Sequence, residues 1–398
     1  MEKISIIGGK MVIKILVTDG SNKNTLAVLR SLRSERYLTD LVNVYPRLFT
    51  LGSYSRYCNK TYRLKSKISN IDDYAKELIN ILEKEIYDVL IPVGLYSYLA
   101  VSKHRSEFEK YTRILVPDWD KMQIAYNKDI SMEFAKSLDI PIPKTTILHN
   151  EVDFNEIIKF PVVIKSSDDS GGFVKYCNNK RELEDNFRIL KNSSKTNIIS
   201  QEYIKGFGCG FYGVYSEGEL IAHFLHKRIK EFPITGGSSA VAESYFDDRL
   251  FKYGKVLCDS LKWNGPIMVE FKYDTEEDDY KLIEINPKLW GSLDLTIESG
   301  VNVPDILVNK ALNKNINHIN TYKYIKYRWL FPDEFKVLMS HFSIRSLCDF
   351  LKMDQNTRTN FYWIDPLPFV FQLIYSLVYT MSMTFNNSKK FPHGKLKK

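Results

Sequence analysis

Two carboxylates and an amide occupy matching positions in a predicted hairpin. Pairing two strand-like runs about Glu277 sets Glu270 opposite Glu284 and brings Asn286 to the same face, because side chains alternate along a strand. Facing carboxylates repel each other unless a cation lies between them. Oxygen ligands without Cys or His suit Mg²⁺ or Mn²⁺, which share their remaining positions with phosphates and water. The alternative is a pair of surface acids in a solvated hairpin.

A lysine ends a short apolar run and is followed by a glycine-containing loop. Lys165 closes the run PVVIK, and Ser170, Gly171 and Gly172 follow five residues later. Glycines let backbone N–H groups converge on an anion, so this pattern is consistent with a phosphate site. It is not a Walker A loop, in which the lysine follows the glycines. An ordinary turn explains the same residues.

A third candidate segment is the strand-like run that ends before Gly206. Gln201, Glu202, Tyr203 and Ile204 could present backbone donors and acceptors to the edge of an adenine ring, with Tyr203 and Ile204 adding apolar surface. A structural strand end is the alternative interpretation.

Alternating strand-like and helix-like segments fill the first 116 residues. We predict strands at residues 12–17, 41–45, 89–93 and 114–116, with helices following the first strand and over residues 72–85. This alternation is typical of a parallel sheet with right-handed crossovers. The first turn lacks GxGxxG, so the sequence does not support a dinucleotide-binding site.

The pattern changes near residue 117 to short helices and antiparallel hairpins. Strands at residues 211–215 and 220–225 flank one turn signal, and the hairpin centred on Glu277 follows later. We expect the alternate face of that second hairpin, including Phe271 and Ile283, to pack in the core. The predicted regions are an α/β domain at residues 1–116, an α+β domain at 117–312 and an extension at 313–398.

Five groups of residues between about residues 119 and 304 resemble, in order, the motifs of the ATP-grasp superfamily. They are Lys128; Lys165; Ser170, Gly171 and Gly172; Gln201, Glu202, Tyr203 and Ile204; and Glu270, Glu284 and Asn286. The stretches HFLHKRIKEFPITGGSSAVAES and EINPKLWGSLDLTIESGVNVP are similar to the carbamoyl-phosphate-synthase-like branch of predicted ATP-dependent carboxylate-amine ligases. The resemblance implies an N-terminal α/β domain, α+β ATP-grasp lobes and, outside the match, a helical aromatic-rich C-terminal extension.

The same resemblance implies a ligase that uses ATP and Mg²⁺ or Mn²⁺. Such an enzyme converts a small carboxylate into an acyl phosphate, which a small-molecule amine then attacks. It implies that Lys128 and Lys165 contact phosphates and that Glu270, Glu284 and Asn286 hold the metal. Two alternatives stay open, namely an ATP-grasp kinase or carbamoyl-phosphate-type enzyme, and a membrane-associated nucleotide-binding scaffold.

Two further positions are candidates for catalytic roles, Lys288 by comparison with this family and Arg228 by its place in a basic segment before a glycine loop. Relatives commonly carry Arg after EINP, where this chain has Lys288, which keeps the charge but not the bidentate geometry. Arg228 is our candidate for holding the carboxylate or the γ-phosphate, although a solvated basic face is the alternative. Gly236, Gly237 and Ser238 form a loop that we expect to close over the substrate.

Composition and charge limit the classes of function. The chain has 398 residues, 44% of them hydrophobic, with 56 Lys and Arg against 48 Asp and Glu. These values exclude a disordered chain, and the small positive charge allows anionic ligands without requiring nucleic acid. The five cysteines lie far apart without CxxC pairs, so we expect reduced thiols in the cytoplasm. We expect no signal peptide, and initiation at Met1 or Met11 stays open.

The last predicted element is a helix over residues 366–385, a stretch without formal charge. It carries too many polar side chains for a typical membrane span, and lysines follow it at positions 389, 390, 395, 397 and 398. We expect an apolar side through Phe369, Leu373, Leu377 and Thr380. Docking on the protein body, lying on an anionic membrane surface and spanning the membrane are the alternatives, and we expect at most a weak membrane-surface contact.

Overall fold

The computed structural model describes residues 5–7, 10–157, 159–167, 174–193, 196–233, 236–385 and 393. Ser170, Gly171 and Gly172 of the predicted glycine loop lie outside this part. In the described part three β-sheets follow one another along the chain. The α/β beginning, the α+β lobes and the helical C-terminal region that the sequence predicts are confirmed.

The first sheet is largely parallel, as predicted. Its strands are β1 (Ser5–Ile7), β2 (Lys10–Val17), β3 (Tyr37–Asn43), β4 (Lys60–Arg63) and β5 (Val89–Ile91). Strand β2 pairs in parallel with β3 and β5, and β3 pairs in parallel with β4. The associated helices are α1 (Lys23–Ser31), α2 (Ile71–Lys84), α3 (Leu95–Lys103) and α4 (Arg105–Phe108), with single turns at Arg47–Phe49 and Leu51–Tyr54.

The strand predicted at residues 114–116 is wrong. Only Arg113 forms an isolated bridge, with Val89. The carbonyl of Val116 accepts a hydrogen bond from the side chain of Asn264 at 3.1 Å, and Pro117 has no N–H to donate. The segment therefore runs beside the sheet without extending it.

The second sheet is antiparallel and has the order β6-β9-β7-β8. Its strands are β6 (Thr145–Leu148), β7 (Val162–Ser166), β8 (Val174–Cys177) and β9 (Ile198–Glu202). The nearby helices are α5 (Trp119–Tyr126), α6 (Lys128–Ser137) and α7 (Lys180–Ser193), with a short 3₁₀ segment at Glu151–Glu156. Leu183, Phe187 and Leu190 of α7 cover one face of the sheet and form a small core with it, which leaves the other face for a site.

The third sheet carries most of the remaining chain in the order β14-β13-β10-β11-β12-β15-β16. Its strands are β10 (Gly208–Ser216), β11 (Glu219–Phe232), β12 (Ser238–Ser244), β13 (Gly265–Asp274), β14 (Asp279–Asn286), β15 (Lys326–Arg328) and β16 (Thr357–Thr359). The helices are α8 (Asp248–Ser260), α9 (Leu293–Glu298), α10 (Val303–Ala311), α11 (Phe335–Ser340), α12 (Ile344–Leu351) and α13 (Leu367–Phe385), with a π turn at Leu330–Glu334. Residues beyond 313 thus contribute the last two strands on one side of the sheet, β15 and the edge strand β16.

The predicted register of the hairpin β13–β14 is confirmed at the end that carries the carboxylates. Glu270 pairs with Glu284, but a bulge then makes Phe271 pair with Leu282. The expectation that Ile283 lies in the core is wrong, because the bulge moves Leu282 to the buried face and leaves Ile283 on the cavity side.

Helix α13 packs on the protein with a polar side. Gln372, Ser376 and Thr380 are buried, whereas Ile374, Val378 and other apolar side chains are exposed. Gln372 accepts a hydrogen bond from Asn360 at 3.0 Å, and the two hydroxyls donate to carbonyl groups of the helix itself. Because these polar groups are satisfied, they can be buried. The side through Phe369, Leu373, Leu377 and Thr380 faces the protein only in part, since Thr380 is buried and Leu377 is exposed. Among the described helices, none has the length and apolar character needed to cross a membrane.

A buried ion pair ties the segment before α13 to the first domain. Asp365 accepts from Arg30 Nε at 2.9 Å, and also from the Ser55 hydroxyl and the Arg56 N–H, both at 2.9 Å. Both charged side chains are almost fully buried, and the Arg30 guanidinium also lies over the ring of Tyr362. Each removed partner would leave the other charge buried without compensation.

We predict that Asp365→Ala destabilises the protein by about 3–5 kcal/mol, since it leaves Arg30 buried and unpaired. Urea unfolding followed by circular dichroism measures the change. The matched control is Asp354→Ala, because Asp354 forms an exposed pair with Lys326 at 3.4 Å; that control should cost about 0–1 kcal/mol. Equal losses of unfolding free energy in both variants would contradict a stabilising buried ion pair at Asp365.

Candidate active site

A cavity of about 390 Å³ lies between the second and third sheets. It gathers residues that are far apart in the sequence. The predicted residues in its wall are Lys128, Lys165, Gln201, Glu202, Tyr203, Ile204, Arg228, Gly236, Gly237, Ser238, Glu270, Glu284, Asn286 and Lys288. Every predicted site residue that the structure describes therefore lines one cavity.

The two predicted metal-binding carboxylates face each other at the open end of β13–β14. Asn286 donates from its amide nitrogen to Glu284 Oε1 at 2.7 Å, which leaves the amide oxygen as an acceptor for other groups. Glu270 and Glu284 are paired residues on adjacent strands. Because the two carboxylates repel each other and have different neighbours, their pKa values shift in opposite directions.

Burial raises the pKa of Glu270, the Arg228 guanidinium opposes that rise, and the charge of Glu284 adds to it. Burial would also raise the pKa of Glu284, but attraction from Lys128 and Lys165 outweighs it and lowers that pKa. Glu284 is thus the more strongly ionised carboxyl group of the pair.

The cations around Glu284 come from separate elements. Lys128 begins α6, and its ammonium lies 3.7 Å from Glu284 Oε2. The Lys128 backbone N–H donates to the Ser167 carbonyl at 2.8 Å, which joins the helix start to the end of β7. Lys165 lies within β7 and Lys288 follows β14, and both line the cavity. This cluster of positive charge around one carboxylate can hold an anionic ligand.

Arg228 lies beneath Glu270 rather than standing free in the cavity. Its guanidinium contacts Glu270 Oε2 at 2.6 Å and Glu231 Oε1 at 3.3 Å, and it donates to the Gly237 carbonyl at 3.1 Å. The side chain is only 9% exposed. It therefore links one carboxylate of the pair to the loop that follows β11. The neighbouring bases form other pairs, Lys227 with Glu243 and Lys230 with Glu334.

The end of β9 and the two residues after it line the cavity. The Glu202 carboxylate accepts from Lys281 at 2.9 Å and from the Lys144 N–H at 3.0 Å, so this side chain joins two elements. Gln201 donates to Thr145 at 2.9 Å. The Tyr203 ring meets the Lys272 ammonium at 4.9 Å and the edge of Tyr176.

Several cavity residues were not predicted from the sequence. Tyr176, Lys272, Met268 and Glu231 line the wall, and so does His393, whose carbonyl accepts from the Tyr176 N–H at 3.1 Å. Burial lowers the pKa of Lys272. The alternation of β13 could have revealed Met268 and Lys272, since both lie on the same face as Glu270. Tyr176 and His393 carry no such signal.

The loop at residues 236–238 closes tightly against its neighbours. Gly236 has φ of +129°, and an added Cβ would come within 2.8 Å of the Tyr176 hydroxyl. At Gly237 a Cβ would lie 2.3 Å from the Phe232 carbonyl oxygen. Both positions therefore require glycine, which explains why the chain can pass so close to the cavity wall.

The oxygen donors fit a hard divalent cation that is shared with phosphates. Two carboxylates and one amide oxygen are too few to enclose a metal, and within the described residues no group of three or more His, Cys, Asp or Glu side chains could hold one. Mg²⁺ typically binds through one or two carboxylates and completes its shell with phosphate oxygens and water. The residues Glu270, Glu284 and Asn286 would hold such an ion only together with a nucleotide.

We predict that Arg228→Met destabilises the protein by about 3–5 kcal/mol, since Glu270 then faces Glu284 without its cation. Urea unfolding measures the loss. Adding Glu270→Gln should recover most of it, because the second change removes the unpaired charge. Strictly additive destabilisation in the double variant would contradict direct coupling between Arg228 and Glu270.

Comparison with known proteins agrees with this geometry. Residues 198–331 match a family described as ATP-grasp in the biosynthetic pathway with Ter operon. The C-terminal section of the carbamoyl phosphate synthase large chain of Methanopyrus kandleri is 24% identical over 232 residues, 54% of this chain and 42% of that protein. D-aspartate ligase of Enterococcus faecium is 22% identical over 237 residues, 54% of this chain and 56% of that protein. The chain thus spans about half the length of these curated relatives.

The fold is also that of solved structures. N5-carboxyaminoimidazole synthetase from Staphylococcus aureus, complexed with ADP, superposes with a TM-score of 0.63 at 15% identity, covering 83% of this chain and 85% of that chain. At this identity the likeness concerns the fold alone. The family match over residues 198–331, the two relatives and the shared fold confirm the resemblance to ATP-grasp proteins that the sequence shows.

Proposed function

We propose that this protein is an ATP-dependent ligase that joins a carboxylate to an amine. The observation that carries the proposal is the pair Glu270 and Glu284, which faces a cavity whose bases include Lys128, Lys165 and Lys288. Phosphoryl transfer depends on positioning and charge neutralisation, and it requires no protein nucleophile. The named activities of the relatives, carbamoyl phosphate synthase and D-aspartate ligase, support this class of reaction.

The reaction proceeds in two balanced steps. A carboxylate oxygen attacks the γ-phosphorus of ATP and the bond to the β-phosphate bridging oxygen breaks, which gives an acyl phosphate and ADP. The amine nitrogen then attacks the acyl carbon, phosphate leaves, and the nitrogen loses a proton. The products are an amide, ADP and phosphate.

Each part of the cavity has a role in this proposal. Lys128 and Lys165 bind the phosphates of ATP, and the segment from Gln201 to Ile204 lies beside the adenine, with the apolar side chains of Val163, Met268 and Ile283 completing its wall. Glu270, Glu284 and Asn286 would hold Mg²⁺ or Mn²⁺, which supplies charge neutralisation for the phosphoryl group.

Two basic residues and one loop act nearest the transferred group. Lys288 steadies the phosphoryl group by charge, and Arg228 positions Glu270 while its contact with Gly237 holds the loop. Gly236, Gly237 and Ser238 exclude water from the acyl phosphate, which would otherwise hydrolyse. Ser170, Gly171 and Gly172 remain proposed phosphate contacts.

The experiment that tests the proposal traps the acyl phosphate with hydroxylamine. Purified protein, ATP, Mg²⁺ and a panel of carboxylic acids should form a hydroxamate together with an equal amount of ADP. Glu284→Gln should lower that rate by about 10²–10³-fold, as expected when electrostatic support of the transition state is lost. Glu243→Gln is the matched control, since Glu243 pairs with Lys227 outside the cavity.

The outcomes separate the candidate reactions. Near-native hydroxamate formation by Glu284→Gln would contradict the metal assignment. Acid-dependent ADP formation without hydroxamate would favour a kinase, and the absence of any acid-dependent ADP would contradict the ligase proposal.

We also propose that the enzyme works in the cytoplasm and has no nucleic acid partner. We propose that its chain is divided into three regions at residues 1–116, 117–312 and 313–398. Its α13 helix contacts anionic membranes weakly. Exposed apolar side chains on one side of this helix support that contact, namely Val370, Ile374, Leu377, Val378 and Met381. A run of lysines follows at positions 389–398, and such charges attract anionic headgroups.

We predict that the full chain floats weakly with phosphatidylglycerol liposomes and not with phosphatidylcholine liposomes. The variant Ile374→Glu/Val378→Glu should lose this binding, because two apolar side chains that would contact the lipid are replaced by charged ones. Ile86→Glu is the control, since Ile86 is exposed elsewhere on the surface. Equal, negligible flotation of the wild type with both lipids would eliminate the membrane contact.

A further inference from the structure

A second cavity of about 620 Å³ adjoins the first, and Ser238, Lys288 and Gly291 belong to the walls of both. Its volume is typical of small-molecule sites. The first domain contributes residues 21–24 and 93–95, and the C-terminal segment contributes Pro332, Asp333, Lys336, Phe371, Gln372 and Tyr375. Segments from both ends of the chain therefore line a space that shares part of its wall with the first cavity.

Lys336 is a buried lysine in this wall whose ammonium is surrounded by aromatic rings. It is 9% exposed, and its ammonium lies 4.4 Å and 5.2 Å from the ring centroids of Tyr379 and Tyr375. Among the described residues its ammonium forms no hydrogen bond or ion pair, whereas the ammonium of Lys23 in the same wall pairs with Asp333 at 2.5 Å. A buried charge without a carboxylate partner is costly unless a ligand completes it.

The position of Lys336 places that charge beside the shared wall. Its ammonium is 5.6 Å from the ring centroid of Phe232, which pairs with Ser238 across β11 and β12. Ser238 lines both cavities, and Lys288 lines both from the end of β14. An anion at Lys336 would therefore lie where the second cavity meets the proposed site of phosphoryl transfer.

The rest of the second cavity combines an apolar part with neutral polar groups. Phe49, Leu51, Leu95, Leu289, Phe371 and Tyr375 form the apolar part, and Ser21, Asn22, Asn24 and Gln372 add polar groups without charge. Lys23 and Asp333 form an ion pair, and Lys288 serves the phosphoryl group in the proposed mechanism, so Lys336 is the cation of this wall that is left to hold the acid. One anionic group and an apolar body match this arrangement better than a dicarboxylate or a zwitterion.

We propose that the second cavity binds the acid substrate and that Lys336 holds its carboxylate, with the C-terminal segment selecting monocarboxylic acids that have an apolar or aromatic body. This inference rests on the proposed ligase function. Lys336 pairs with the carboxylate by charge and exchanges no proton, while a carboxylate oxygen attacks the γ-phosphorus and ADP leaves.

The test compares phenylacetate and cinnamate with succinate and aspartate in the hydroxylamine assay. The aryl acids should be the better substrates, and Lys336→Met should raise their KM about 10- to 100-fold, the usual size of a lost charge-assisted contact, with the KM for ATP unchanged. Lys336→Arg should restore most of the affinity because it keeps the charge. Lys352→Met is the matched control, since Lys352 is exposed in the same segment. An unchanged KM for the acid in Lys336→Met, or a preference for the dicarboxylates, would overturn the inference.

A binding measurement keeps this inference separate from the ligase proposal. With Mg²⁺ and ADP present, phenylacetate should raise the melting temperature of the wild type and of Lys352→Met, but not that of Lys336→Met. If no acid gives a hydroxamate, the ligase proposal is rejected. A thermal shift that Lys336→Met alone loses would still support anion binding at Lys336. Equal shifts in all three proteins would overturn it.

Discussion

The carboxylates of Glu270 and Glu284 face each other across neighbouring strands, and other parts of the fold supply the cations that stabilise this arrangement. Glu270 is held by Arg228 from β11, and Glu284 lies near Lys128 at the start of α6. Neither cation is local to the hairpin. The hairpin, the second sheet and α6 must therefore pack in one arrangement to balance this charge, and the same arrangement leaves a cavity suited to a metal–nucleotide anion.

The sequence predicts the site better than it predicts the details around it. The pairing of Glu270 with Glu284 follows from the two-residue period of strands, which is a local property. The bulge at Ile283 has no comparable signal, because it depends on how Leu282 packs against Phe271 in the core. Tyr176 lines the cavity because of the way the second sheet folds, and no local sequence pattern predicts this position.

The C-terminal segment shows why hydropathy alone does not predict which side of a helix is buried. Counting apolar residues predicts that α13 buries its apolar side, yet it buries Gln372, Ser376 and Thr380. The partner of Gln372 is Asn360, which lies outside the helix, and the hydroxyls bond to the helix's own carbonyls. Strands β15 and β16 are three residues long, too short for a detectable period, and they join the sheet only through long-range pairing.

The pairing of charges near α11 distinguishes the ion-paired lysines Lys23 and Lys230 from Lys336. Glu334 is 1% exposed and binds both Arg328 and Lys230, while Asp333 binds Lys23. These ion pairs fix the start of α11 against β11, β15 and α1. Lys336 follows two residues later on the element they fix, and its ammonium is packed among the rings of Phe232, Tyr375 and Tyr379. A cation that is confined in this way loses little entropy when it binds an anion, which favours the contact proposed for Lys336.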